Sequence, residues 1–216
     1  MRKKRFAKAQ LQADSRVFFP TSELPQLNWT HFFGRIAPLH VEIGMGAGRH
    51  LAFKAQEQPD HNHLGIESKY YRVARASKWA DDLQVANTRY CCGDLFETPD
   101  LFQEAEVDTI TMLFPDPWPR AKGERFRLTN PKLVERYFSW LRPGGILHFR
   151  TDHEWMFTYS RERLRRQGFE LEIAVPVQRV ISDFEAHYLA EGRPIYGLTA
   201  HRPSLSNRST AETPAT

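Results

Sequence analysis

The chain has 216 residues, with 30 Lys and Arg against 26 Asp and Glu, a formal charge of +4 with the histidines neutral. A hydrophobic fraction of 41% and an aromatic fraction of 12% suffice for a sizeable core and exclude wholesale disorder. No apolar run approaches the roughly 18 residues that span a bilayer, and the two cysteines are adjacent (Cys91, Cys92), which excludes a disulfide scaffold and a CxxC metal site.

In chain order, five of the first eight residues are Lys or Arg and no apolar segment follows. Residues 1–17 therefore read as a basic, flexible arm and not as a secretory signal. Residues 18–202 read as one domain. Residues 203–216 are rich in Ser, Thr and Pro without apolar periodicity and read as a disordered tail. The expected setting is the cytoplasm, with no membrane and no metal, since the histidines are scattered. Composition leaves monomer and homodimer equally open.

Within the domain, strand and helix patterns alternate. Strands are expected at Leu39–Ile43, His63–Glu67, Thr88–Cys92, Val107–Phe114, Ile146–Thr151, Phe169–Val175 and Ile195–His201. Helices are expected at Arg49–Gln58, Tyr71–Asp82, Pro131–Leu141 and His153–Gln167, the last closed by Gly168. Such alternation implies βαβ units: an α/β fold with a mostly parallel seven-stranded sheet and helices on both faces. Ligands of such sheets bind beyond the carboxyl ends of the strands.

After the first strand comes Glu42-Ile43-Gly44-Met45-Gly46-Ala47-Gly48. A dinucleotide fingerprint would need a small residue at position 49, where Arg49 stands. Glu42 would repel a pyrophosphate and welcome a cationic or amino group. The loop fits a phosphate-free ligand such as S-adenosylmethionine, although a plain glycine-rich turn would have the same residues. Glu67, closing the second strand, can accept from both ribose hydroxyls. Asp94 after Gly93 can face an adenine edge or serve an ordinary turn.

Phe114-Pro115-Asp116-Pro117-Trp118-Pro119-Arg120 follows the fourth strand. Three prolines stiffen it and keep it out of helix and strand. Asp116 can accept N–H bonds from a base, Trp118 can stack on it, and Arg120, Lys122, Arg125 and Arg127 would hold phosphates. A rigid structural turn with Trp118 in the core is the alternative.

The chain resembles the bacterial tRNA (guanine-N7)-methyltransferases. The resemblance rests on Val41 to Gly46, Gly65-Ile66-Glu67, Gly93-Asp94, Phe114 to Trp118, Leu141 to Gly145, Thr151-Asp152 and Ser182 to Glu185, and covers roughly positions 39 to 201. It implies a class I methyltransferase fold of Rossmann type. It also implies methyl transfer from S-adenosylmethionine to N7 of a guanine in the tRNA variable loop. Glu42, Glu67 and Asp94 would contact the cofactor beside Gly44, Gly46 and Gly48. Asp116 would be catalytic, and Asp152 would lie with it at the guanine-binding centre and bind substrate. Arg120, Trp118, Ser182, Asp183, Phe184 and Glu185 would bind substrate. The family pattern after the tryptophan, P-K-x-R-H-x-K-R-R, is altered here: Arg120 replaces lysine, Gly123 replaces histidine and Phe126 replaces arginine. Ser182 stands where the family's T-x-x-E has threonine. These departures keep open a tRNA-binding paralogue without turnover, or a methyltransferase acting on another RNA atom.

Overall fold

A computed structural model of the chain describes residues 9, 11–20, 28–98, 101–174 and 182–204. Most of the basic arm, the tail from 205 onward and the segment 175–181 lie outside the described residues. Short runs rich in β-branched and aliphatic residues pair as a sheet. They are β1 (Val17–Phe18), β2 (Leu39–Ile43), β3 (Asn62–Glu67), β4 (Thr88–Cys92), β5 (Val107–Leu113), β6 (Leu141–Thr151), β7 (Glu170–Glu172) and β8 (Tyr196–His201). Their order across the sheet is β1-β4-β3-β2-β5-β6-β8-β7, with β8 alone antiparallel to its neighbours.

The helices are α1 (Trp29–Phe33), α2 (Arg49–Glu57), α3 (Tyr70–Asp82), α4 (Pro131–Trp140), α5 (Glu154–Gln167) and α6 (Asp183–Ala190), with a 3-10 helix at Ala121–Phe126. They cover both faces, as expected. Adjacent residues of a strand point to opposite faces. On β4, Tyr90 joins the apolar cluster of Leu51 (α2) and Val73 (α3), while Cys91 joins that of Trp29 (α1), Leu133 (α4) and Met156 (α5). Val41, Ile43, Leu64, Ile66, Ile110, Met112, Leu147 and Phe149 of the central strands are all at most 3% exposed. Each such side chain stabilises the fold by about 1.5–3 kcal/mol relative to exposure. No helix among the described residues is long and apolar enough to cross a membrane.

Four differences from the sequence expectation have specific causes. The eighth strand, β1, pairs with β4 at the sheet edge. Residues 11–17, expected within the flexible arm, are packed: Leu11 is 3% exposed, and Arg16 bridges Asp14 and Asp81 at 2.9 and 2.8 Å. Strand β6 starts at Leu141 because Leu141 already pairs with Val107; the Pro143-Gly144-Gly145 turn is absorbed as a register shift. Two short helices were not anticipated. α1 is capped by Asn28, whose side chain accepts from the His31 N–H at 2.9 Å, and α6 by Ser182, which accepts from the Glu185 N–H at 3.1 Å.

The chain runs outward from β2 through β3 to β4, then returns to β2's other side as β5. The carboxyl ends of β2 and β5 therefore flank a crevice at the topological switch point.

Candidate active site

The crevice is a cavity of about 570 Å³. Its floor begins where β2 ends. Gly44, Gly46 and Gly48 have φ of +69, +57 and +72°, left-handed values that side chains disfavour. The N–H groups of Gly44 and Met45 donate to the Ile66 carbonyl at 2.9 and 3.1 Å, stitching the loop to β3. Gly48 serves packing as well: a Cβ there would lie 2.2 Å from the Ala76 Cβ, so α2 and α3 can meet only over a glycine.

Two buried carboxylates face this floor. Glu42 is 5% exposed, and its Oε2 lies 2.7 Å from Nδ1 of the equally buried His50 on α2. Glu67, 6% exposed, accepts from the Lys69 N–H at 2.9 Å and lies 3.4 Å from the Arg72 guanidinium. Both are held in place before any ligand arrives. Asp94 is exposed, and its Oδ1 accepts from the Phe96 N–H at 3.0 Å, an Asx turn that aims the residue at the cavity.

The opposite wall is the loop after β5. Phe114 and Trp118 have φ of +51 and +46°, two of four non-glycine left-handed residues among those described. Such strain persists only where surroundings enforce it. The Phe114 N–H donates to the Arg150 carbonyl at 2.8 Å, and the Arg127 guanidinium donates to the Trp118 carbonyl at 3.1 and 3.0 Å. Between these anchors Asp116 is exposed to the cavity and Trp118 stands at its mouth, 44% exposed. Trp118 is therefore not a core residue. Helix α6 closes the third side. Asp183 pairs with Arg49 at 3.3 Å, and Phe184 stacks on Tyr188, which also touches Phe114 at 5.4 Å.

A family model described as "Putative methyltransferase" matches residues 36–198. The chain is 33% identical over 164 residues to the tRNA (guanine-N(7)-)-methyltransferase of Halalkalibacterium halodurans, covering 76% of this chain and 74% of that one. It is 30% identical to the enzyme of the same name from Geobacillus kaustophilus, over 94% of this chain and 97% of that one. It belongs to the tRNA (guanine-N7)-methyltransferase family. Among solved structures, the 16S rRNA methyltransferase KamB superposes with a TM-score of 0.62 at 12% identity, covering 82% of this chain and 94% of that one. An antibiotic-related methyltransferase does so at 0.58 and 16%, covering 84% and 95%. At such identities these two establish only the shared fold.

Of the site residues anticipated in this family member, Glu42, Gly44, Gly46, Gly48, Glu67, Asp94, Asp116, Trp118, Ser182, Asp183 and Phe184 line the one cavity. Three do not. Arg120 lies on the same loop with its side chain in solvent. Asp152 lies outside the lining of this cavity and is paired with Arg193. Glu185 is 3% exposed and paired with Arg150, whose guanidinium is lowered by burial against the opposing pull of Glu185. The expectation that Arg127 holds a phosphate is corrected: it is 6% exposed, with its guanidinium 4.5 Å from the centroid of the Tyr159 ring and 5.1 Å from that of Trp155.

Sequence reasoning missed His50, which lies eight positions beyond Glu42 on the inward side of the first turn of α2. It also missed that Ser182-Asp183-Phe184-Glu185 carries the S-x-x-E pattern of a helix start. Beside Glu42 and His50, on the sheet face, lies a second cavity of about 330 Å³, also lined by His40, His63 and His148. Burial pushes these three imidazoles down, to about 4 for His40, about 3 for His63 and about 4 for His148.

Proposed function

We propose that this chain transfers a methyl group from S-adenosylmethionine to N7 of a guanine in tRNA, with the variable loop as the target region. The observation that carries the proposal is the single 570 Å³ cavity in which two buried carboxylates and a left-handed glycine turn face Asp116 of the strained loop. The floor fits the cofactor chemically. Gly44 and Gly46 leave room for a close approach, and a Cβ at Gly46 would meet nothing within 4 Å. Glu42 and Glu67 suit an amino group and ribose hydroxyls, in a lining that also holds Arg49, Lys69 and Arg72.

When bound, the cofactor supplies a methyl group activated by a cationic sulfur. Glu42 takes its amino group, Glu67 its ribose hydroxyls and Asp94 the adenine edge. The guanine N7 lone pair lies in the ring plane, so no proton has to leave before attack and no strong general base is needed. Placement supplies most of the rate enhancement. Asp116 accepts from the guanine N1–H and exocyclic amine, which selects guanine, and its charge favours the cationic methylated ring. Asp183 and Phe184 border the base side of the cavity, with Ser182 capping their helix. Glu185 holds α6 to β6 through Arg150. Arg193 holds Asp152 at the end of β6. Arg120, Lys122 and Arg125 attract the RNA backbone. To enter the cavity, the guanine must leave its stack.

The deciding experiment is radiolabelled methyl transfer to unmodified tRNA, followed by nucleoside analysis. Label in 7-methylguanosine supports the reading. Label in another nucleoside, or tRNA binding without transfer, overturns it.

A further inference from the structure

Two large rings face solvent at the cavity mouth. Trp118 and Phe126 are 44% and 42% exposed, line the cavity together with Asp116, and have ring centroids 5.2 Å apart with planes 44° from parallel. Their placement is enforced from beneath. Gly123 is buried in the 3-10 helix, and a Cβ there would lie 2.9 Å from the Trp118 Cβ and 3.2 Å from its carbonyl oxygen. The turn carrying Phe126 can approach Trp118 this closely because position 123 has no side chain. The Arg127 bonds to the Trp118 carbonyl lock the other side. The Arg125 guanidinium lies 4.6 Å from the Phe126 centroid.

Rigid, water-facing aromatics beside a cation, with a carboxylate on the same wall, match a planar π-rich ligand on an anionic backbone. We propose that Phe126 is a stacking residue, and that with Trp118 it forms a shelf on which a nucleobase of the RNA rests at the cavity mouth, with Arg125 beside the adjoining phosphate. The inference rests on the tRNA reading above and adds a specific contact to it.

The test compares Phe126→Ala, Phe126→Leu and Phe126→Trp with the unaltered protein. Equilibrium binding to unmodified tRNA, calorimetry with S-adenosylmethionine and thermal melts are measured on each. Phe126→Ala is expected to weaken tRNA binding about fivefold to a hundredfold, the range for one lost stacked base. Cofactor affinity and melting temperature should stay unchanged. Phe126→Trp should restore binding and Phe126→Leu should not, since leucine keeps apolar bulk without a π face. Gly123→Ala, by displacing Trp118, should weaken tRNA binding in the same direction. Undiminished binding by Phe126→Ala, or equal binding by the Leu and Trp variants, overturns the shelf. Methyl transfer is scored separately. If the unaltered protein leaves guanine N7 unmethylated, the activity reading fails, while the Ala-to-Trp affinity ratio still decides the stacking.

Discussion

On the floor of the cavity, Glu42 and Glu67 are almost fully buried, and each carboxylate is tied to a neighbour, His50 or the Lys69 N–H. At the mouth, Asp116, Trp118 and Phe126 face solvent, and the backbone between Phe114 and Trp118 is held in a strained shape from outside. The floor is positioned by strand ends and glycines, elements whose geometry is regular. The mouth is positioned by the Phe114 N–H on the Arg150 carbonyl and by a buried cation, Arg127, reaching back to a carbonyl nine residues earlier. A preformed floor of buried carboxylates and a solvent-facing aromatic mouth thus share one cavity while resting on separate supports.

Floor and mouth separate most sharply at Arg127. Arg127→Ala removes two bonds to the Trp118 carbonyl and its packing over two rings. It is expected to destabilise the protein by about 2–4 kcal/mol, seen as a lower melting temperature, with tRNA affinity falling too. If melting is unaffected and only tRNA affinity falls, the separate-support account fails and Arg127 is a phosphate ligand after all. Next comes Glu42→Ala. It is expected to weaken S-adenosylmethionine binding about tenfold to a hundredfold by calorimetry, the loss of one charge-assisted hydrogen bond, with tRNA binding intact. Asp116→Ala should do the opposite, lowering kcat about tenfold or more while calorimetry finds unchanged cofactor affinity. Unchanged methyl transfer would remove Asp116 from the chemistry.

Acid should destabilise the fold through the histidines of the second cavity. His40, His63 and His148 sit below their unfolded value near 6.5 because burial disfavours the charged ring. Folding therefore excludes protons that the unfolded chain would take up. Stability is full above pH 6.5 and declines as pH falls toward 4, by roughly 2 kcal/mol at pH 5 for the fully buried His63. Melting temperatures at pH 7.5 and 5.0 check this, and replacing His63 with Asn should flatten the slope. The smallest effect is expected at Arg125. Its alanine variant should lower the slope of log affinity against log salt by about one and leave melting unchanged, in contrast to Arg127.

Much of the fold was legible because periodicity is a local property. The alternation from Leu39 to Gln167 located the five central strands and four long helices within a residue or two, apart from the early start of β6. Glu42, Glu67 and Asp94 were legible because each closes or follows a strand, and strand ends converge in a parallel sheet. The helix at Asp183 was not read from its capping pattern, because eight residues carry too short a period to stand out. His50 was missed for a different reason: its role depends on α2 folding back across β2.

What the sequence determined by itself was the set of strand-end acids, the glycine turn and the proline-stiffened loop, since these follow from backbone rules acting over a few residues. Only the tertiary structure decided which charges are available. Arg125 and Arg127 are two positions apart and chemically identical, yet one faces solvent beside Phe126 and the other lies beneath Trp118. Burial is a property of what packs on a side chain from distant parts of the chain, here Trp155 and Tyr159 of α5. No local pattern around Arg127 encodes it.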